Sequence, residues 1–219
     1  MTSDQTALRV AGAWLAAASL LLAAALAFHG PLHPDLSVQM AHIGQSASRW
    51  AAVHWTAAAA LSCFAIAAVL ILLSRSRLTS SGTTLSAWAV VLVGALWTLT
   101  TAVTEVTVIA DLAASGDLAQ FTSWWSFAEG YANGFSMLAV AVAAIAWNEY
   151  RDPSRILPKW SAAVGAGAGL LSFAGWVFGV WLDVGPANLL WLVASGAMCL
   201  WLAWLGRALA RELPPRSSC

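Results

Sequence analysis

Apolar residues in this chain come in long, nearly unbroken runs, without the two-residue alternation of a half-buried strand. Six stretches, at about 8–29, 49–74, 85–113, 121–149, 160–182 and 187–210, each reach the roughly 20 apolar residues that a helix needs to cross a bilayer. Stop signals punctuate most of the breaks. His29-Gly30-Pro31 closes the first run, and Arg75-Ser76-Arg77 with Ser80-Ser81-Gly82 separates the second from the third. Ser115-Gly116-Asp117 turns the third into the fourth, and Arg151-Asp152-Pro153 and Pro158-Lys159 bracket the next loop. Gly185-Pro186 opens the last run, with proline at a first helical position. The pattern predicts an all-α polytopic membrane protein, a bundle of six transmembrane helices forming a single domain over residues 1–219.

The first run follows a lone Arg9 and has the look of a secretory leader. It continues to Phe28 without a small-x-small cleavage site, so it is read as a span that is kept. The longest connection is residues 30–48. After Pro34-Asp35 it predicts a short outer helix with Leu36, Met40, Ile43 and Ala47 on one side, lying on the membrane or extending the second span.

Composition agrees with the pattern. Hydrophobic residues make up 60% of the chain and charged residues 9%, too few to build the polar surface of a soluble domain, in which about 25% are charged. The 14 Trp suit a chain with two bilayer interfaces. Ten basic residues balance ten acidic ones, which gives no footprint for nucleic acid. With six spans, Arg9, Arg75, Arg77, Arg151, Arg155, Lys159, Arg207, Arg211 and Arg216 all fall on one side, and Arg49 alone on the other. The positive-inside rule then places both termini in the cytoplasm and the protein in the cell membrane, with the lipid bilayer as its first partner. Cys63 and Cys199 lie inside apolar runs and Cys219 ends the chain, an odd and scattered set that makes neither a disulfide framework nor a zinc ribbon. Cys219 also lacks the residues that a prenylation signal needs after its cysteine.

Ionisable side chains within a bilayer are costly and point by default to function. Counting at 1.5 Å per residue from the basic boundary of each span, His54 lies about 21 residues, roughly 31 Å, from Arg75. His29, Glu105 and Glu129 come out at a similar depth, and Asp183 and Asn188 flank the last outer turn at the same level. Glu105 and Glu129 each lie twelve positions from Asp117, on opposite arms of one hairpin. Thr122, Ser126, Glu129, Asn133 and Ser136 form one helical stripe, and Thr98, Thr101 and Glu105 form another. These positions predict an outward-facing polar pocket. Its candidate metal ligands are His54, Glu105 and Glu129, with the two carboxylates doubling as acid–base groups of a catalytic site. Thr101, Ser126, Asn133 and Asp183 are the candidate ligand-binding residues. The competing reading is that these groups sit in the interface, bonding one another and lipid headgroups.

Other chemistries are narrower. A divalent metal ion is the first cofactor candidate. A b-type haem between His29 and His54 is the second, because the two lie on adjacent spans at similar depth. His29, His33, Met40 and His42 suit copper by ligand type but follow no metal-binding spacing. Retinal held as a Schiff base is excluded, because no span contains lysine. Gly165, Gly169, Ser172, Gly175 and Gly179 make a small-residue stripe on the fifth span, an internal seam or a contact for a second subunit. Trp97, Trp176 and Trp191 lie deep enough in their spans to stack on a ligand. No P-loop, dinucleotide fingerprint, nucleophile elbow, HExxH or CxxC occurs, so whether the chain is an enzyme stays open. Three functions follow: a binding or catalytic protein built on the outer pocket, a small proton-coupled or solute transporter along Glu129, Asn133 and Ser136, and an accessory subunit without chemistry of its own.

Overall fold

The computed structural model describes residues 3–128 and 134–211. Among them the regular structure is helical throughout: α1 (Ser3–His29), α2 (Leu36–Gln45), α3 (Ala47–Leu73), α4 (Gly82–Thr104), α5 (Ala110–Ser115), α6 (Leu118–Ala128), α7 (Phe135–Arg151), α8 (Lys159–Trp176) and α9 (Gly185–Arg211). Two π-helical turns, Glu105–Ile109 and Val177–Trp181, continue α4 and α8. Five helical stretches are long and apolar enough to cross a membrane, namely Asp4–His29, Ala47–Leu73, Gly82–Ser115, Lys159–Trp181 and Gly185–Arg211. The chain is therefore a multi-pass, all-helical membrane protein. The predicted fourth span runs across residues 129–133, which lie outside the described residues; α6 and α7 flank them.

Local chemistry sets the boundaries. Gly30 and Gly116 adopt φ of 76° and 75°, a left-handed conformation that glycine enters at no steric cost, and both follow a helix end. Asp35 caps α2 by accepting from the Ser37 and Val38 amides. Ser81 and Thr84 form a reciprocal capping box at the start of α4.

Six helices pack into a closed ring in which each touches the next: α1 on α3, α3 on α4, α4 on α7, α7 on α8, α8 on α9, and α9 back on α1. Lipid supplies no hydrophobic drive for such packing, so close contact must do the work. Gly12 and Gly206 key the closure of α1 against α9. A Cβ on Gly206 would stand 2.6 Å from the Ala16 nitrogen, and one on Gly12 2.6 Å from the Gly206 oxygen. The fifth-span stripe is used inside the ring in the same way: Gly165 receives the Trp201 indole, Gly169 the Ala139 carbonyl, Gly175 the Trp191 backbone and Gly179 the Asn188 side chain. That face packs against the chain's own α7 and α9.

Two apolar clusters result. The larger fills the ring around Phe64, Trp88, Leu138, Trp176, Met198 and Leu202. The smaller sits at one end, where α2 lies over α5 and α6, and joins Ile43, Trp50, Ile109, Phe121 and Trp125. Leu36 and Met40 pack against this second cluster and Ile43 is buried in it, so the apolar side expected of the short helix does face the bundle. The two ends of the ring are named below for α2 and for Arg77, which lies in the short 3₁₀ turn Arg77–Thr79 between α3 and α4.

Candidate functional site

A cavity of about 60 Å³ opens at the α2 end, along the axis of the ring. Five of the six ring helices line it: α1 through Leu26 and His29, α3 through Val53 and His54, α4 through Thr98 and Thr101, α7 through Phe135 and α9 through Trp191. That volume holds about two waters at their liquid share of ~30 Å³ each, or a hydrated ion, and falls far short of the ~300–1,000 Å³ that organic ligands occupy.

The two histidines give the cavity its chemistry. Their ring centroids are 5.1 Å apart, with the planes at 67°. His54 Nδ1 lies 2.9 Å from the Trp50 carbonyl oxygen, and His29 Nδ1 2.8 Å from that of Gly30. A carbonyl oxygen only accepts, so in each neutral ring Nδ1 carries the proton and donates. Each Nε2 is left with its lone pair, and among the described residues it has no hydrogen-bond partner. Backbone anchoring of Nδ1 with Nε2 left open is the arrangement found behind metal-ligating histidines.

The cavity threonines point the same way. Thr98 donates its hydroxyl to the Gly94 carbonyl at 2.7 Å, and Thr101 donates to the Thr98 carbonyl at 2.8 Å. With their protons committed, both oxygens face a ligand only as acceptors. The remaining polar atom is the buried Trp191 Nε1–H, which finds no acceptor among the described residues. The rest of the lining is apolar, so the acceptors the cavity offers are the two imidazole lone pairs and the two threonine hydroxyl oxygens.

Trp50 connects this cavity to Glu105. Its indole Nε1–H donates to Glu105 Oε2 at 3.2 Å, while its ring lies 4.3 Å from that of His54 and 5.1 Å from that of His29. Glu105 is 1% exposed and His54 4%, but they meet through Trp50 and the carboxylate does not line the cavity. Glu105 is thus joined to the imidazole pair through the Trp50 indole. Sequence reading passed over Trp50, although its spacing of four from His54 placed the two on one helical face.

The other predicted site residues fall as follows. Thr101 lines the cavity. Ser126 is exposed and donates to the Thr122 carbonyl of its own helix, and Asp183 is exposed with φ 54° at the end of the π turn; neither lines the cavity. A half-polar stripe can face outward as well as toward a neighbouring helix, and Ser126 is exposed. Glu129 and Asn133 lie outside the described residues, and Ser136 is buried near the start of α7. Among the described residues no group of three or more His, Cys, Asp or Glu is placed to hold a metal, so any site there begins from the two histidines. His33 and His42 form a separate pair, 6.1 Å apart; the His33 ring accepts from the Asp35 amide, and Met40 packs into the second apolar cluster.

Haem does not fit. Two imidazoles trans on one iron hold their centroids about 6.3 Å apart at metal–nitrogen distances near 2.0 Å, against 5.1 Å here. The cavity also has no slot for a porphyrin.

Comparison with protein-family models, with curated proteins and with solved structures finds no match.

Proposed function

We propose that the chain is a six-span protein of the cell membrane, with both termini in the cytoplasm, whose outward-facing cavity binds one divalent transition-metal ion through Nε2 of His29 and His54. The observation that carries this reading is the pair of backbone-anchored imidazoles, 5.1 Å apart, with both lone pairs unused. Imidazole suits zinc and its neighbours in the first transition row. The small volume and the acceptor-only hydroxyls favour an ion over an organic cofactor. Glu129, the ligand expected on the fourth span, is the first candidate to complete the coordination sphere, and a bound water would give the site its chemistry. A one-sided site is preferred to a transport path, because the ring below the cavity is filled by buried Phe64, Val91, Leu138, Val142, Met198 and Leu202.

Titration of the purified full chain with Zn²⁺ tests the reading. One equivalent is expected to bind, and His54→Gln and His29→Gln are each expected to weaken binding by at least about 100-fold. Trp50→Phe, which keeps the apolar contact and loses the bond to Glu105, is expected to weaken it by about tenfold. Glu129→Gln in the same assay decides whether the fourth span supplies a ligand. Binding that is unchanged in the double histidine variant would remove the proposal.

A further inference from the structure

Arg49 is the residue that the fold leaves most conspicuously unused. It is exposed at the start of α3, and among the described residues its guanidinium has no hydrogen-bond or ion-pair partner. It is also the one basic residue that the charge pattern puts on the side opposite the other nine. A cation that defies the positive-inside bias and pairs with nothing among the described residues calls for an external anion.

Its surroundings say which kind. Arg49 lines two adjoining depressions. One, of about 330 Å³, is a groove along the outer face of the α1–α3 seam, with Ala24, Ala25 and Ala52 as its floor and Phe28 at its edge. The other, of about 460 Å³, is polar and is lined by His42, Gln45 and Ser46. Neither contains an acidic residue. A run of alanines on a surface that meets lipid leaves a furrow where bulkier side chains would fill it, and a furrow of that kind accepts an acyl chain. An apolar furrow leading up to an unpaired guanidinium, with amide, hydroxyl and imidazole groups beyond, has the order of an amphiphile: chain, phosphate, polar headgroup.

We propose that this surface binds a phosphate-bearing membrane lipid of net negative charge, its phosphate on Arg49 and one acyl chain in the Ala24–Ala25–Ala52 groove. Arginine matches a phosphate with two parallel donors, and the pairing is stronger at a half-wet interface than in bulk water. The absence of acidic lining sets the preference for a net anionic headgroup over a zwitterionic one. Ala25 and Val53 line both this groove and the histidine cavity, so the lipid lies directly across the α1–α3 seam from the metal site. The proposal rests on the membrane placement of the helices and is independent of metal binding.

Native mass spectrometry of the full chain, released from detergent with phosphatidylglycerol or with phosphatidylcholine of the same acyl chains, is the test. The wild type is expected to retain one phosphatidylglycerol with about a tenfold preference. Arg49→Gln is expected to abolish the preference, and Arg49→Lys to keep part of it. Ala52→Leu, which fills the groove from an outward-facing position, is expected to reduce retention of both lipids. Arg155→Gln, at the other end of the chain's charge pattern, is expected to change nothing. Glycerol phosphate without acyl chains is expected to bind far more weakly than the lipid. Equal retention of phosphatidylglycerol by the Arg49→Gln variant would overturn the proposal, and so would glycerol phosphate binding as well as the lipid.

Discussion

The two ends of the ring bury polar groups in opposite ways. At the Arg77 end, the guanidinium grips both oxygens of Glu149, at 2.9 and 3.1 Å, and reaches Asp152 at 3.1 Å. Glu149 Oε1 also accepts the Ile156 and Leu157 amides, and Asp152 accepts the amide and hydroxyl of Ser154. Both carboxylates are saturated, and together they tie the α3–α4 connection to the α7–α8 connection. At the α2 end, two imidazoles are held in place by backbone carbonyls and keep their second nitrogen unspent. The first arrangement spends its carboxylates on holding the bundle together, and among the described residues leaves only donor-capable atoms, Arg77 Nε and Ser76 Oγ, without partners. The second adds little to stability and leaves bonding capacity where a ligand can use it. Buried polarity in a membrane bundle is thus read by what remains unpaired after the fold is complete.

Substitutions at the two ends should therefore separate stability from binding. Arg77→Met strands a carboxylate that is 3% exposed, and unfolding in detergent is expected to show a loss of about 3–5 kcal/mol with zinc affinity unchanged. A comparable loss in zinc affinity would mean that the ends are coupled. Gly206→Leu forces a side chain into the α1–α9 seam and is expected to cost about 1–3 kcal/mol. Gly167→Leu, on the same kind of helix but with nothing within 4 Å of its Cβ, should be neutral; equal effects would show that helix propensity rather than close approach controls the ring. His54→Gln gives up the hydrogen bond to the Trp50 carbonyl and should cost about 0.5–1.5 kcal/mol of stability while removing zinc binding.

The smallest effect concerns α2. The Ser37 hydroxyl, with the Val38 and Ser37 amides, holds the Asp35 carboxyl below its ordinary value of 3.8. A carboxylate depressed in this way contributes its cap above the unfolded value and loses it as pH falls through the folded one. Amide protection in α2, observed exchange set against the intrinsic rate at each pH, should stay high from neutral pH down to about pH 4 and fall below that. Asp35→Ala should show low protection across the whole range. Protection that is the same in both proteins would mean that the apolar face alone holds α2 on the bundle.

Much of this architecture was legible before any coordinates. Unbroken apolar runs marked the five helical stretches long enough to cross a membrane, and Gly30, Gly116 and Asp35 marked turns that the structure uses. The depth count brought His29 and His54 to one level, because rise per residue is fixed in a helix whatever its neighbours. Rotation about the helix axis is not fixed in this way. It depends on which helix packs against which face, so sequence did not separate Thr101, which lines the cavity, from Ser126, which does not. Trp50 escaped notice for a related reason: an indole that bridges a carboxylate and an imidazole looks in sequence like any interfacial tryptophan. The glycine stripe of α8 was visible, but its partners Trp191, Trp201 and Asn188 became evident only once α9 was set against it.

The central claim is that Nε2 of His29 and Nε2 of His54 bind one metal ion side by side. X-ray absorption at the zinc edge of the loaded full chain tests it most directly. The account predicts imidazole scattering from two histidines at about 2.0–2.1 Å, lost in the His29→Gln/His54→Gln double variant. A spectrum with no imidazole signature, or one that the double variant leaves unchanged, would contradict it.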